Sequence, residues 1–154
     1  MALAALAVLS GCGSLAIEDD APARIEAALQ AYSGRVVAME ADRIAAAFTA
    51  DGEVQEGDQP PVKAPDAIRA SFTSRAGAKI EENVLKGTSL QIVGPSALQA
   101  GTFRQKTRLA DGTVVETTGT FEAEWERQAD GSWLIARMTT NPPPFKPPDV
   151  GLVP

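Results

Sequence analysis

Residues 119–141, GTFEAEWERQADGSWLIARMTTN, leave this chain few choices of fold. Two strand-like runs flank Ala129-Asp130-Gly131-Ser132, whose Asp-Gly pair tolerates the positive φ that a tight hairpin turn needs. On the first run Phe121, Ala123 and Trp125 alternate with Glu122, Glu124 and Glu126, so one face is apolar and the other acidic and wet. The second run, 133–138, carries apolar residues on both faces, as in a strand covered on both sides. Upstream, Ala110-Asp111-Gly112 makes a similar turn between runs 97–109 and 113–127, and Gly94-Pro95-Ser96 ends a looser alternation over 83–92. Gly101 marks a bulge or bend inside the first of these long runs. Strands joined by such turns make an antiparallel meander.

The first half reads as helices. Asp19 or Asp20 can cap a helix with Pro22 in its first turn, where the missing N–H is not needed. Ile25, Ala28, Leu29, Tyr32 and Val36 recur at helical spacing and give one apolar face, while Gly34 interrupts the run at a cost of about 1 kcal/mol. A short helix is predicted over 42–48, with Ile44, Ala45 and Phe48 on one side and Asp51-Gly52 as the turn out of it. A brief strand, 53–56, then puts Val54 and Glu56 on one face, taken as the inner one. The prolines of GDQPPV, 57–62, predict loop. Ala64-Pro65-Asp66 opens a third helix whose Ile68 and Phe72 face inward, with Arg69 and Arg75 solvated and Gly77 as its end. Helices first and strands after give an α+β fold.

At 154 residues and 44% hydrophobic, the chain supports one domain with a real core. The net charge is -6 and the 14 basic residues are scattered, which argues against nucleic acid as a partner. There is no histidine, so Ser-His-Asp and Cys-His catalysis and imidazole metal sites are excluded. A single cysteine excludes an intrachain disulfide. Proton chemistry, if any, rests on carboxylates, Tyr32, lysines or water. Neither cofactor nor metal is expected: the Glu122, Glu124 and Glu126 row lacks a converging partner.

The ends carry separate information. Residues 1–11 read as a signal peptide, with an unbroken Ala/Leu/Val core over 2–9 too short to span a bilayer. Leu9-Ser10-Gly11-Cys12 is similar to a bacterial lipoprotein box, in which Cys12 is acylated and becomes the new N-terminus. Residues 12–21 would then be a lipidated tether, placing the domain, 22–141, in the bacterial cell envelope, at the periplasmic face of the outer membrane where the host has one. The plainer reading is a frayed apolar terminus with a free thiol. Residues 142–154 form a proline-rich tail, expected disordered, with polyproline recognition as the other reading.

Three passages, in order, give the chain a resemblance. DRIAAAFTADGEV resembles a "D-x-x-x-x-x-F-x-x-D-x-x-x" passage of the nuclear transport factor 2-like superfamily, in its SnoaL-like and ketosteroid-isomerase-like branches. KAPDAIRASF resembles that superfamily's "x-G-x-x-A-I-x-x-x-F" helix, with Ala64 in place of the glycine, and DGSWLI its "D-G-x-W-x-I" final hairpin. The fold this implies is α+β: a cone-shaped, curved antiparallel β-sheet wrapped around a long N-terminal helix with two further helices, and a pocket at the wide end. Homodimerisation through the sheet is a further expectation of the resemblance.

In the isomerase branch a helix-borne tyrosine stabilises an enolate oxyanion and a carboxylate on the first strand moves the proton. By position these fall on Tyr32 and Glu56. A carboxylate in an apolar cavity would be destabilised as an anion, which suits a base. The acid completing that oxyanion hole would fall near Ala123, which has no proton to donate. Phe72, Trp125 and Met138 are the candidate ligand contacts. Plainer readings stand beside these: Tyr32 as core with its hydroxyl at the rim, Glu56 as a solvated strand end, Trp125 and Trp133 as packing. The expected function is therefore non-catalytic binding of a small apolar ligand, or of an envelope protein partner, by a lipid-anchored domain. The alternative is a carboxylate-driven isomerase or cyclase acting on a polyketide-like or steroid-like substrate.

Overall fold

The computed structural model describes residues 20–75 and 77–141. The expected signal peptide, Cys12, the part of the expected tether before Asp20 and the proline-rich stretch 142–154 lie outside the described residues. The elements are α1 (Ala21–Val37), α2 (Ala41–Ala45), β1 (Phe48–Glu56), β2 (Val62–Lys63), α3 (Pro65–Thr73), β3 (Lys79–Val93), β4 (Ser96–Arg108), β5 (Val114–Arg127) and β6 (Trp133–Asn141). They build one curved, unclosed six-stranded sheet in the order β2-β1-β6-β5-β4-β3, with the helices against its concave side.

The meander β3 to β6 is antiparallel throughout, and both Asp-Gly turns act through their aspartates. Asp111 Oδ1 accepts from Thr113 N at 2.8 Å and Asp130 Oδ1 from Ser132 N at 2.9 Å, with Gly112 and Gly131 at φ 86° and 83°. One pairing departs from the antiparallel pattern: β1 lies parallel to β6, Val54 opposite Met138 and Glu56 opposite Thr140.

That pairing corrects the predicted helix over 42–48. The helix stops at Ala45, and Phe48 begins a strand because Ile135 N donates to Ala47 O at 2.8 Å. Asp51-Gly52 is consequently an irregularity within β1, where the register to β6 shifts, and not a turn out of a helix. The loop expected over 57–62 yields at its end to β2, a two-residue edge strand pairing with Glu53 and Val54. On the outer face Arg137 Nε donates to Glu53 Oε1 at 2.5 Å and its Nη1 to Glu124 Oε1 at 3.1 Å, tying β1, β6 and β5 together. Hydrogen bonds from Arg137 and Lys63 hold the Glu53 carboxyl below the usual range.

α1 runs through Gly34 to Val37, and Asp20, at its N-cap position, makes no side-chain cap bond. Ile25, Leu29, Tyr32 and Val36 are buried on the predicted face. Polar bonds fix the helix against β3 and β4: Gln30 Nε2 donates to Leu85 O at 3.0 Å, and Ser33 Oγ to Asn83 O. Buried Gln99 accepts from Trp125 Nε1 at 3.1 Å and donates to Glu26 Oε2 at 3.2 Å. The Gln99 amide and the Trp125 indole N–H thus keep partners, where an unsatisfied group would cost about 1–3 kcal/mol.

Ala64, the residue standing where the superfamily's helix passage has glycine, sits at φ 69°, ψ 149°. Only glycine enters that region freely, and other residues are strained there by roughly 1–3 kcal/mol. Its position is over-determined, since Ala64 N donates to Gly52 O at 2.8 Å and Ala64 O accepts from Ile68 N at 3.0 Å. Ala64→Gly is expected to stabilise the chain by about 1 kcal/mol, the strain relieved being partly offset by greater freedom of the unfolded chain. Urea denaturation reads this directly; a loss of stability would contradict the strain.

Candidate functional site

The inner-face residues of five strands change character at the same end of the sheet. Val54 gives way to Glu56 on β1, Leu85 to Asn83 on β3, Phe103 to Gln105 on β4, Phe121 to Thr117 on β5 and Met138 to Thr140 on β6. Away from that end the concave side is solid core: Phe121, Ala123, Trp125 and Ile135 are all buried there. At it, the sheet stands clear of the C-terminal half of α1 and encloses a cavity of about 290 Å³.

Tyr32 enters the cavity from α1, four residues before Val36, and Phe72 from α3. The Tyr32 ring meets Phe48 edge-on, centroids 5.8 Å apart at 79°. Its hydroxyl has no hydrogen-bond partner among the described residues. Burial pushes that hydroxyl well above the ordinary phenol range; the Glu56 charge adds to this and Arg75 offsets part of it. At neutral pH the group is a neutral donor.

Glu56, the last residue of β1, lies at the rim, its side chain 51% exposed. Arg75, in the turn after α3, donates from Nη2 to Glu56 Oε1 at 2.5 Å and lays its guanidinium 4.8 Å from the centre of the Phe72 ring. Two expectations are corrected. Glu56 does not sit in an apolar hollow but opposite a guanidinium with water beside it, because β1 ends there and the chain turns at Gly57. Arg75 is not simply solvated: its side chain is 33% exposed and forms part of the cavity wall.

Of the remaining candidates, Phe72 and Met138 line the cavity. Met138 points inward although Ile135 does too, three positions earlier, because Ala136 is an extra residue where the β5–β6 register shifts between Glu124 and Trp125. Trp125 does not reach the cavity; it is 2% exposed, bonded to Gln99 in the core, and only borders a shallow hollow on the outer face. Ala123, where the isomerase acid would fall, is likewise sealed in the core between Gln99 and Met138.

Sequence reasoning passed over Asn83, Gln105, Thr117 and Thr140, the polar ring of the cavity. The signal was there: alternation assigns Asn83, Gln105 and Thr140 to the same face as a buried apolar neighbour two positions away, and Thr117 to the face of Phe121, four positions on. Among the described residues no three acidic or thiol side chains converge as metal ligands would.

The sequence profile of the SnoaL-like domain matches residues 20–139. No curated protein matches the chain. Among solved structures, a ketosteroid isomerase-like protein from Erwinia carotovora atroseptica superposes with a TM-score of 0.70 at 21% identity, covering 78% of this chain and 94% of its own. An NTF2-like protein with a cystatin-like fold from Novosphingobium aromaticivorans gives 0.67 at 18% identity, covering 82% and 84%. A Catenulispora acidiphila protein in complex with S-DNPA gives 0.68 at 17% identity, covering 79% and 92%. At these identities the neighbours share the cone fold with this chain.

Proposed function

The chain belongs to the SnoaL-like domain family, and on that premise we propose that it is a lipid-anchored module of the bacterial envelope. Its cavity holds a small, mainly apolar molecule and performs no chemistry on it. The observation that carries this reading is the incomplete catalytic set: buried Ala123 stands where a second oxyanion donor would be needed. Glu56 is half in water at the rim and bonded to Arg75, not set in an apolar hollow, and the acid that would complete an oxyanion hole has no counterpart at Ala123. Losing one such donor typically costs about 2.7–4 kcal/mol in the transition state. A volume of about 290 Å³ lies at the small end of the roughly 300–1,000 Å³ usual for ligand pockets, so the ligand is compact. A neighbour of the same fold has been solved in complex with S-DNPA.

The second reading, an isomerase or cyclase, draws on the neutral Tyr32 phenol sharing the cavity with Glu56. It requires substrate to free Glu56 from Arg75, and turnover of a bound compound that stops in Glu56→Gln would favour it.

The test is native mass spectrometry of the chain extracted from bacterial membranes. A polypeptide starting at Cys12, carrying acyl chains and a non-covalently held small molecule, is the expected result. An unacylated chain would overturn the anchor. A chain that stays empty against a panel of compact apolar compounds would overturn the binding reading.

A further inference from the structure

The two charges on the cavity wall are unequal in how firmly they are placed. Among the described residues that line the cavity, Glu56 and Arg75 are the charged ones. Arg75 is the less exposed of the pair, and its guanidinium carbon lies over the Phe72 ring, 4.8 Å from the centroid. A guanidinium has five N–H donors in a planar fork that suits a carboxylate in pairs. Here one bond, from Nη2 to Glu56 Oε1, joins it to the Glu56 carboxylate. Glu56, half in water, loses little when that bond is exchanged, since solvent screens an exposed ion pair. In the same cavity the Tyr32 hydroxyl keeps its proton and has no acceptor among the described residues. A fixed cation and an unspent donor both call for an acceptor oxygen on the ligand.

We infer that the ligand is an apolar molecule bearing a carboxylate, which takes Arg75 from Glu56 and accepts from Tyr32 while its apolar body lies among Val54, Leu85, Phe103 and Met138. This rests on the cavity-binding reading and specifies its ligand. The Glu56 carboxylate is then the internal stand-in for the ligand's own: it occupies the guanidinium until the acid arrives. A cationic ligand, pairing with Glu56 instead, would leave the buried phenol without an anionic acceptor and would have to displace the better-held partner.

The test is calorimetric titration of the full chain with benzoate, 2-naphthoate and decanoate, each beside its primary amide, which keeps shape and removes charge. At least one acid is expected to bind about tenfold or more tightly than its amide, as a charge-assisted bond should give. Arg75→Gln should bring acid and amide to equal affinity while the amide still binds. Glu56→Gln should tighten the acid about threefold or more, because the competing carboxylate is gone. Equal binding of acid and amide by the unaltered chain, a preference that survives Arg75→Gln, or weaker acid binding in Glu56→Gln would each overturn the inference and leave the cavity reading standing. Binding of none of the six compounds would overturn both.

Discussion

Gly101→Ala is expected to cost the fold about 3 kcal/mol, the upper end of what overpacking a core does. A Cβ built on Gly101 would lie 2.1 Å from Lys86 O and 2.6 Å from Phe121 Cε1. Neither obstacle can step aside. The oxygen belongs to the β3 backbone, next to Gly87, which pairs with Gly101 across the strands. The ring is fully buried in the core. β3 gains an extra residue at this level, Thr88, as the register shifts between Gly87 and Ser89. The bulge in β3 therefore faces a position of β4 that has no side chain to resist the approach, and such a bulge bends the strand that carries it. Urea denaturation with an unchanged m-value gives the number; a loss under about 1 kcal/mol would mean that β3 and β4 are not this close.

The same position shows what the sequence can and cannot say. Gly101 stands out in a long alternating strand, so the bend is legible, but the bulged residue that meets it lies on the partner strand and leaves no mark of its own. Local signals carry well: helical spacing of Ile25, Leu29, Tyr32 and Val36, and two Asp-Gly turns whose carboxylates bond two residues on. Non-local pairings do not. Phe48 looks helical by its neighbours and becomes strand because β6 lies beside it. Arg75 reads as a surface cation until the turn after α3 brings it back to Glu56, 19 positions earlier. Trp125 illustrates a subtler loss. Alternation puts it on the inner face, which is where it lies, yet period says nothing of depth along the strand. At its level the cone is filled, and at Thr117, eight residues earlier on the same strand, it is open.

That difference in depth makes Thr117→Trp the sharpest functional variant. It is expected to abolish ligand binding, with affinity falling about a hundredfold or more, while stability stays within about 1 kcal/mol of the parent. Thr117 faces the cavity from β5, opposite Gln105, and none of its side-chain atoms is engaged in a hydrogen bond among the described residues. An indole placed there extends into existing space and displaces no packed neighbour, so the overpacking cost that Gly101→Ala incurs does not arise. Met138→Trp, by contrast, would force the same ring into close-packed surroundings and confound binding with folding. Thermal melts and titration of whichever acid the unaltered chain prefers provide both readouts. Undiminished binding by Thr117→Trp would move the ligand to the shallow hollow on the outer face, beside Gln91, Leu98 and Glu124, where Thr117 has no reach. A fall in stability of several kcal/mol would instead show that the wide end of the cone is packed, and a closed cone has no room for the carboxylate that Arg75 is placed to receive.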